Sequence, residues 1–245
     1  MKSPSKNVLR IGSGNVYIAN QTPRAAVRLA MGAKAHSWGW SEAGNIVGLL
    51  SARKGYDALS YMGTSNPRDS NDCAMVVRKG LEVEHFSMTR VCSDVPGTKI
   101  GQPRVFSMLA YRAPALGGAV VCHVAIHPNW VVGLTSPSNP VVREYVESML
   151  ALRRMLSFAR AMGWVIVVTG DFNTRRRAKK NYLTVYDIFK EFDLVARVAN
   201  IDGAAWDKRL RLTSWKVIPT TQIPGGDHPW VVADFMAKPR ARLVA

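Results

Sequence analysis

The chain has 245 residues, 47% of them hydrophobic and 20% charged, enough apolar material for a substantial core, which excludes an intrinsically disordered protein. Thirty-three Lys and Arg against seventeen Asp and Glu leave a formal net charge of +16, so the surface attracts polyanions, nucleic acid first and anionic membrane second. Three cysteines, Cys73, Cys92 and Cys122, are far apart and form no CxxC pair, which argues against a disulfide framework and a structural zinc site and fits a reducing compartment. MKSPSKNVLRIGSG at the start has no apolar run of signal-peptide length, and no stretch reaches the about 18 apolar residues of a membrane span, so a cytoplasmic protein is expected.

In chain order, NVLRIGSGNV (7–16) reads as a strand, and Thr22 to Ala33 as a helix with Thr22 as N-cap and Pro23 at the first helical position. HSWGWSEAGN is a short strand-like segment, followed by strands in CAMVVRKG (73–80), VFSMLAYR (105–112) and GAVVCHVAIH (118–127). Val142, Tyr145, Val146, Met149, Leu152, Met155, Leu156 and Ala159 recur at helical spacing, which predicts a helix over 141–162 with Gly163 at its C-terminal cap. WVIVVTGDF (164–172) is a buried strand, NYLTVYDIFKEF (181–192) a third helix and WVVADF (230–235) a final strand. Strands in runs with few helices between them predict an α+β layered architecture, two sheets packed face to face with helices outside. GLTSPSNP (133–140) is too short for a domain linker, so one domain over residues 1–238 is expected, with a basic tail over 239–245.

Candidate chemistry starts at the end of the strand VIVVT, where Gly170, Asp171, Phe172 and Asn173 follow. If the extended conformation persists, Asp171 and Asn173 face the same way, and an acid and an amide side by side can hold a water and a phosphate oxygen together. A simple Asp/Asn turn would explain the same residues. Asp227 and His228 precede the last strand after two glycines; an imidazole can exchange protons near neutral pH, although a His there also serves structural roles. Glu42 could be a hard-cation ligand, since Mg²⁺ takes one or two carboxylates with waters and phosphate oxygens, or a solvated surface group. His123 and His127, four apart in HVAIHPN, are expected on one face of a strand.

Taken in order, Asn15, Glu42, His127, GDFN at 170–173, Ile201-Asp202 and GDH at 226–228 resemble the motif series of the endonuclease/exonuclease/phosphatase superfamily, the deoxyribonuclease-I-like fold, across residues 7 to 235. GDFN is the most specific member. The resemblance implies a four-layered α/β/β/α sandwich of two mixed sheets with the site at one edge, and in-line attack of water on a phosphoester with Mg²⁺ or Mn²⁺ bound. Carried onto this chain it implies Glu42, Asn15 and Asp227 around the metal, and Asp171 orienting or deprotonating the water. It further implies Asn173 holding the phosphate, His228 oriented by Asp202, and His127 near the leaving oxygen. This sequence departs from the family pattern where Ser41 replaces the usual Gln, Gly226 the usual Ser and Pro128 the usual Leu. The segment after Asp202, GAAWDKRL, is not the usual aromatic strand, which leaves Asp207 as a rival for Asp202 and His123 as a competitor for His127.

For the substrate, Arg175, Arg176, Arg177, Lys179 and Lys180 directly follow GDFN, and Arg104 and Arg112 flank another strand, positions from which cations could meet a phosphate backbone. Trp130 is the tryptophan set apart as a base-stacking face; Trp38, Trp40, Trp206, Trp215 and Trp230 are expected largely in the core. The resulting expectation is a monomeric, metal-dependent endonuclease or exonuclease acting on DNA ahead of RNA, with no membrane partner. Two alternatives stand beside it: a phosphomonoesterase or phosphoinositide phosphatase of the same fold, and a nucleic-acid-binding protein without catalysis.

Overall fold

In the computed structural model, which describes residues 4–15, 23–42, 49, 55–59, 73–92, 104–175, 180–223 and 228–239, the apolar runs become strands of two six-stranded sheets. The strands are β1 (Leu9–Asn15), β2 (Ser37–Ser41), β3 (Tyr56–Leu59), β4 (Cys73–Arg78), β5 (Val83–Cys92) and β6 (Arg104–Arg112). Then come β7 (Val120–Ile126), β8 (Val165–Asp171), β9 (Leu194–Ala199), β10 (Asp202–Asp207), β11 (Leu210–Ile218) and β12 (Trp230–Ala237). The α-helices with described bounds are α1 (Pro23–Ala33), α2 (Pro140–Ala161) and α3 (Val185–Glu191), beside short 3-10 turns at Pro114–Leu116 and Thr220–Gln222. One sheet has the order β11-β12-β1-β2-β4-β3 and the other β5-β6-β7-β8-β10-β9. Both are mixed: β1 pairs β2 and β7 pairs β8 in parallel. In each case a helix, α1 or α2, supplies the crossover that a parallel pair requires.

Side-chain alternation sorts the strands into layers. On β8, Ile166 and Val168 point to α2 and α3, whereas Val165 and Val167 point to the other sheet, so the run reads as continuously apolar because both faces are covered. Outside the first sheet, Ala26, Val27 and Ala30 of α1 pack on Trp38, Trp40 and Trp230, with Trp38 and Trp40 stacked at 4.8 Å and Trp230 edge-on to both. Four layers result, helix on sheet on sheet on helix. Trp206 lies between the sheets, Trp215 is partly buried beside it, and Trp130 is 39% exposed.

Helix α2 starts where Asn139 accepts a hydrogen bond from the Val141 N–H with Pro140 at the first position, and it stops before Gly163, whose φ is +74°. Its buried face carries Val142, Tyr145, Met149, Leu152 and Leu156, each contributing about 1.5–3 kcal/mol on burial. Helix α3 is shorter than the apolar pattern predicts. Thr184 and Asp187 form a capping box that begins it at Val185, while Tyr182 and Lys180 bond the Leu134 carbonyl instead of joining the helix. Strands β5, β9 and β11 escape the apolar-run reading because their side chains are largely half-buried or exposed, as edge and near-edge strands allow. His127, expected on a strand beside His123, lies one residue beyond the end of β7.

Candidate active site

Register brings the polar strand ends to one edge. Asp171 at the end of β8 is directly opposite Asp202 at the start of β10, and both belong to the face that Val167 and Trp206 turn toward the other sheet. In the facing sheet, Asn15 at the end of β1 pairs with Ser41 at the end of β2. Across the interface Ser37 bonds His123, and a Cβ on Gly39 would meet Thr169 and Ala125 within 3 Å, so β2 runs alongside β7 and β8 in the same sense. Glu42, just after β2, therefore emerges at the edge where Asp171 and His127 lie, in a left-handed conformation with φ of +50°.

The turn after β8 is built by two special backbones. Gly170 has φ of +142°, and a Cβ there would come within 1.9 Å of the Ile126 carbonyl, so only glycine lets β7 approach this closely. Asn173 has φ of +49°, and its N–H donates to Asp171 Oδ1 at 2.9 Å. The extended conformation thus ends at Asp171, which corrects the expectation that Asp171 and Asn173 project side by side. Asn173 Nδ2 instead donates to the Pro128 carbonyl at 2.7 Å, and its own carbonyl accepts from the Val131 N–H, clamping the segment 128–131. Phe172 anchors the turn in the core against Phe189.

Four titratable side chains meet there. His228 Nδ1 lies 2.9 Å from Asp202 Oδ2 and 3.5 Å from Asp171 Oδ2, and His127 Nε2 lies 3.8 Å from Asp171 Oδ2. Asp171, Asp202 and His127 are buried, whereas the His228 side chain is 22% exposed, the most accessible of the four. Burial pushes the Asp202 carboxyl above the usual carboxylate range, with the His228 hydrogen bond opposing the rise and Asp171 adding to it. Asp171, Asp202 and His228 each offer a ligand atom within 4.8 Å of the others, a candidate metal-binding group. Two buried carboxylates facing one another are an electrostatic cost that a cation would relieve, so the donor set fits a divalent metal ion.

Asp207, the rival for Asp202, sits at the far end of β10, where Arg209 and Arg160 bind it and, against the penalty of burial, hold its carboxyl low. His123 is fully buried between the sheets, bonded to Ser37 and Thr169, so it bridges the two layers away from the edge. Arg112 lies apart from this cluster. It pairs with Glu82 and Glu84 at the opposite end of β6 from Arg104, roughly 25 Å along the strand. Arg104 itself is buried and directed at His127 and Asn129 rather than at a rim. Lys180 is held by the Val131 and Leu134 carbonyls. Arg175 and Trp130 are exposed near the edge, while Asp227, Arg176 and Arg177 lie outside the described residues. Asn129, buried two residues after His127, went unnoticed in the sequence; its place right after a candidate site histidine was the available signal.

Two mixed six-stranded sheets packed face to face between helices, with acids and imidazoles gathered at one edge, define the endonuclease/exonuclease/phosphatase, or deoxyribonuclease-I-like, fold. Among solved structures, this chain is similar to an endonuclease/exonuclease/phosphatase family protein from Bacteroides thetaiotaomicron at a TM-score of 0.69 and 14% identity, covering 94% of this chain and 95% of that one. The human Nocturnin catalytic domain, solved with a bound sulfate anion, matches at a TM-score of 0.66 and 15% identity over 95% of each chain. TDP2 from C. elegans matches at 0.60 and 12% identity over 94% of this chain and 75% of that one. No protein-family model and no curated protein sequence matches the chain.

Proposed function

We propose that this protein is a metal-dependent phosphodiesterase that cuts nucleic acid, DNA ahead of RNA. The observation that carries the reading is the convergence of Asp171, Asp202, His127 and His228 at the sandwich edge, on the fold shared with the structures above. Mg²⁺ or Mn²⁺ would be held by carboxylates of this edge, Asp171 and Asp202, with Glu42 and Asn15 as oxygen donors from the facing sheet, and when bound it neutralises charge developing on phosphate oxygens. The side chains divide the remaining work. His228, oriented through Nδ1 by Asp202, presents its other ring nitrogen to exchange a proton or bond the scissile phosphate. Asp171 orients the attacking water, and His127 donates toward the phosphate from the other side.

Charge supports a polyanionic substrate. The formal charge is +16, and Arg175 stands exposed directly after the turn that carries Asp171 and Asn173. Trp130, exposed on the segment clamped by Asn173, offers a face for a base. No helix among the described residues is long and apolar enough to cross a membrane.

The test is a cleavage assay on supercoiled DNA, single-stranded DNA, abasic duplex and RNA with Mg²⁺ or Mn²⁺. Strand scission abolished by EDTA and by Asp171→Ala and His228→Ala is expected. Intact substrates with every metal would sink the proposal, and phosphate release from a small phosphomonoester without scission would favour a phosphatase of the same fold.

A further inference from the structure

Arg104 opens β6 with its side chain buried, and its guanidinium is divided between two residues of one segment. Nη1 lies 2.9 Å from His127 Nδ1, and Nε donates to Asn129 Oδ1 at 3.1 Å. The same segment is held from the other side by Asn173, through the Pro128 carbonyl and the Val131 N–H. The segment that carries His127 is thereby held by Arg104 and Asn173 together, with His127 Nε2 turned toward Asp171.

A guanidinium has N–H donors and no acceptor, so the nitrogen it faces must offer a lone pair. His127 Nδ1 therefore accepts, which leaves the ring's hydrogen on Nε2, the atom that faces the site. We propose that Arg104 is a positioning residue: through its hydrogen bond to Nδ1 it sets the tautomer and orientation of His127, so that Nε2–H is presented as a donor to the substrate's phosphate oxygens. Without that bond the imidazole could carry its hydrogen on Nδ1, turning a lone pair instead of a donor toward an anion. Asn129 completes the arrangement by accepting from Arg104 Nε, a second anchor that restrains the guanidinium beside the ring. The role for His127 rests on the proposed phosphodiesterase activity, whereas the tautomer rests on the Arg104 contact alone.

Long-range ¹H–¹⁵N correlation spectra of the ¹⁵N-labelled full chain report the tautomer of each ring, with His127 assigned by its loss in His127→Gln. Wild-type protein is expected to show His127 with hydrogen on Nε2 and a lone pair on Nδ1, and Arg104→Met to show the Nδ1–H form appear. On the preferred nucleic-acid substrate, Arg104→Met is expected to lower kcat about 10- to 100-fold, as loss of an orienting partner does, with KM little changed. Arg104→Lys, which keeps one donor but not the fork, should recover part of both the Nε2–H signature and kcat. An Nδ1–H ring in the wild type overturns the inference, whether or not the protein cleaves anything. So does an Arg104→Met protein that raises KM with kcat intact, the mark of direct phosphate binding, or one that leaves the spectrum unchanged. If the wild type shows the Nε2–H form but cuts no phosphoester, the Arg104 contact stands and the proposed activity falls.

Discussion

His228 Nδ1 and Asp202 Oδ2 lie 2.9 Å apart although 26 positions separate the two residues, and Asp171 Oδ2 lies 3.5 Å from the same ring nitrogen. One imidazole therefore faces two carboxylates, one bonding it directly and the other at longer range. Asp202 is buried and the His228 ring reaches solvent, so the acid holds the ring while the ring's other edge stays accessible.

Asp202→Asn keeps the shape but removes the charge that favours Nδ1–H and steadies an imidazolium. The rate of plasmid nicking is expected to fall by about 10²–10⁴, the usual worth of a positioned acid or base. His228→Ala should fall as far, and the double variant no further, because residues acting as a unit are not additive. Additive losses in single-turnover assays would show that the two act separately.

Stability should fall in acid. Burial holds His123 at about 3, and burial followed by the Arg78 charge holds His36 at about 4, both below the 6.5 of an unfolded chain. The unfolded state then binds more protons than the folded one below that pH. The stability these neutral rings contribute is complete above about pH 6.5 and is lost as pH falls toward 4 and 3, about 1.4 kcal/mol for each unit of difference. Asp202 acts with the opposite sign, because its raised carboxyl takes up a proton more readily in the folded state and so favours that state as pH falls. Comparing thermal melts of His123→Gln and wild type in EDTA cancels that contribution, and the variant should lose less Tm between pH 7 and 4. Parallel curves would contradict the assignment.

Gly170→Ala places a Cβ within 1.9 Å of the Ile126 carbonyl at a positive φ, which the fold can relieve only by parting β7 from β8. Urea denaturation is expected to show a loss of about 2–4 kcal/mol, at the severe end for one methyl group. Because the same turn carries Asp171, cleavage should disappear with it, and a stable, active variant would mean that the turn has another conformation.

The two ends of the molecule should respond differently to loss of charge. Arg112→Ala, at the end occupied by Glu82 and Glu84, is expected to leave cleavage within about twofold, as surface changes away from a site usually do. Arg175→Ala should raise KM and reduce the salt dependence of DNA binding by about one unit of slope. A large effect of Arg112 on KM would mean that nucleic acid runs over the opposite face.

Much of this protein is legible along the chain. The apolar runs at β4, β6, β7, β8 and β12 announce themselves because strands covered on both faces are largely apolar, whereas β1, equally buried, carries Arg10, Ser13 and Asn15. The long α2 is equally plain, with Pro140 ahead of it and Gly163 behind. Less visible are β9 and β11, whose exposed side chains remove the pattern, and the early start expected for α3, which the Thr184–Asp187 box delays. Arg104 and Arg112 look equivalent in sequence, each at one end of the same strand, yet antiparallel neighbours send one to the candidate site and the other to the opposite end.

By itself the sequence determined the basic charge and the layered α+β class, since composition and periodicity are properties of the chain, and its motif order supplied the candidate site residues through their resemblance to a known series. Only the tertiary structure decided which of them meet. Register set Asp202 against Asp171 and left Asp207 with Arg209 and Arg160, and burial between sheets turned His123 into a bridge while His127 passed beyond the strand to the edge. A side chain's partner across a sheet depends on pairing between distant segments, and no local spacing encodes that.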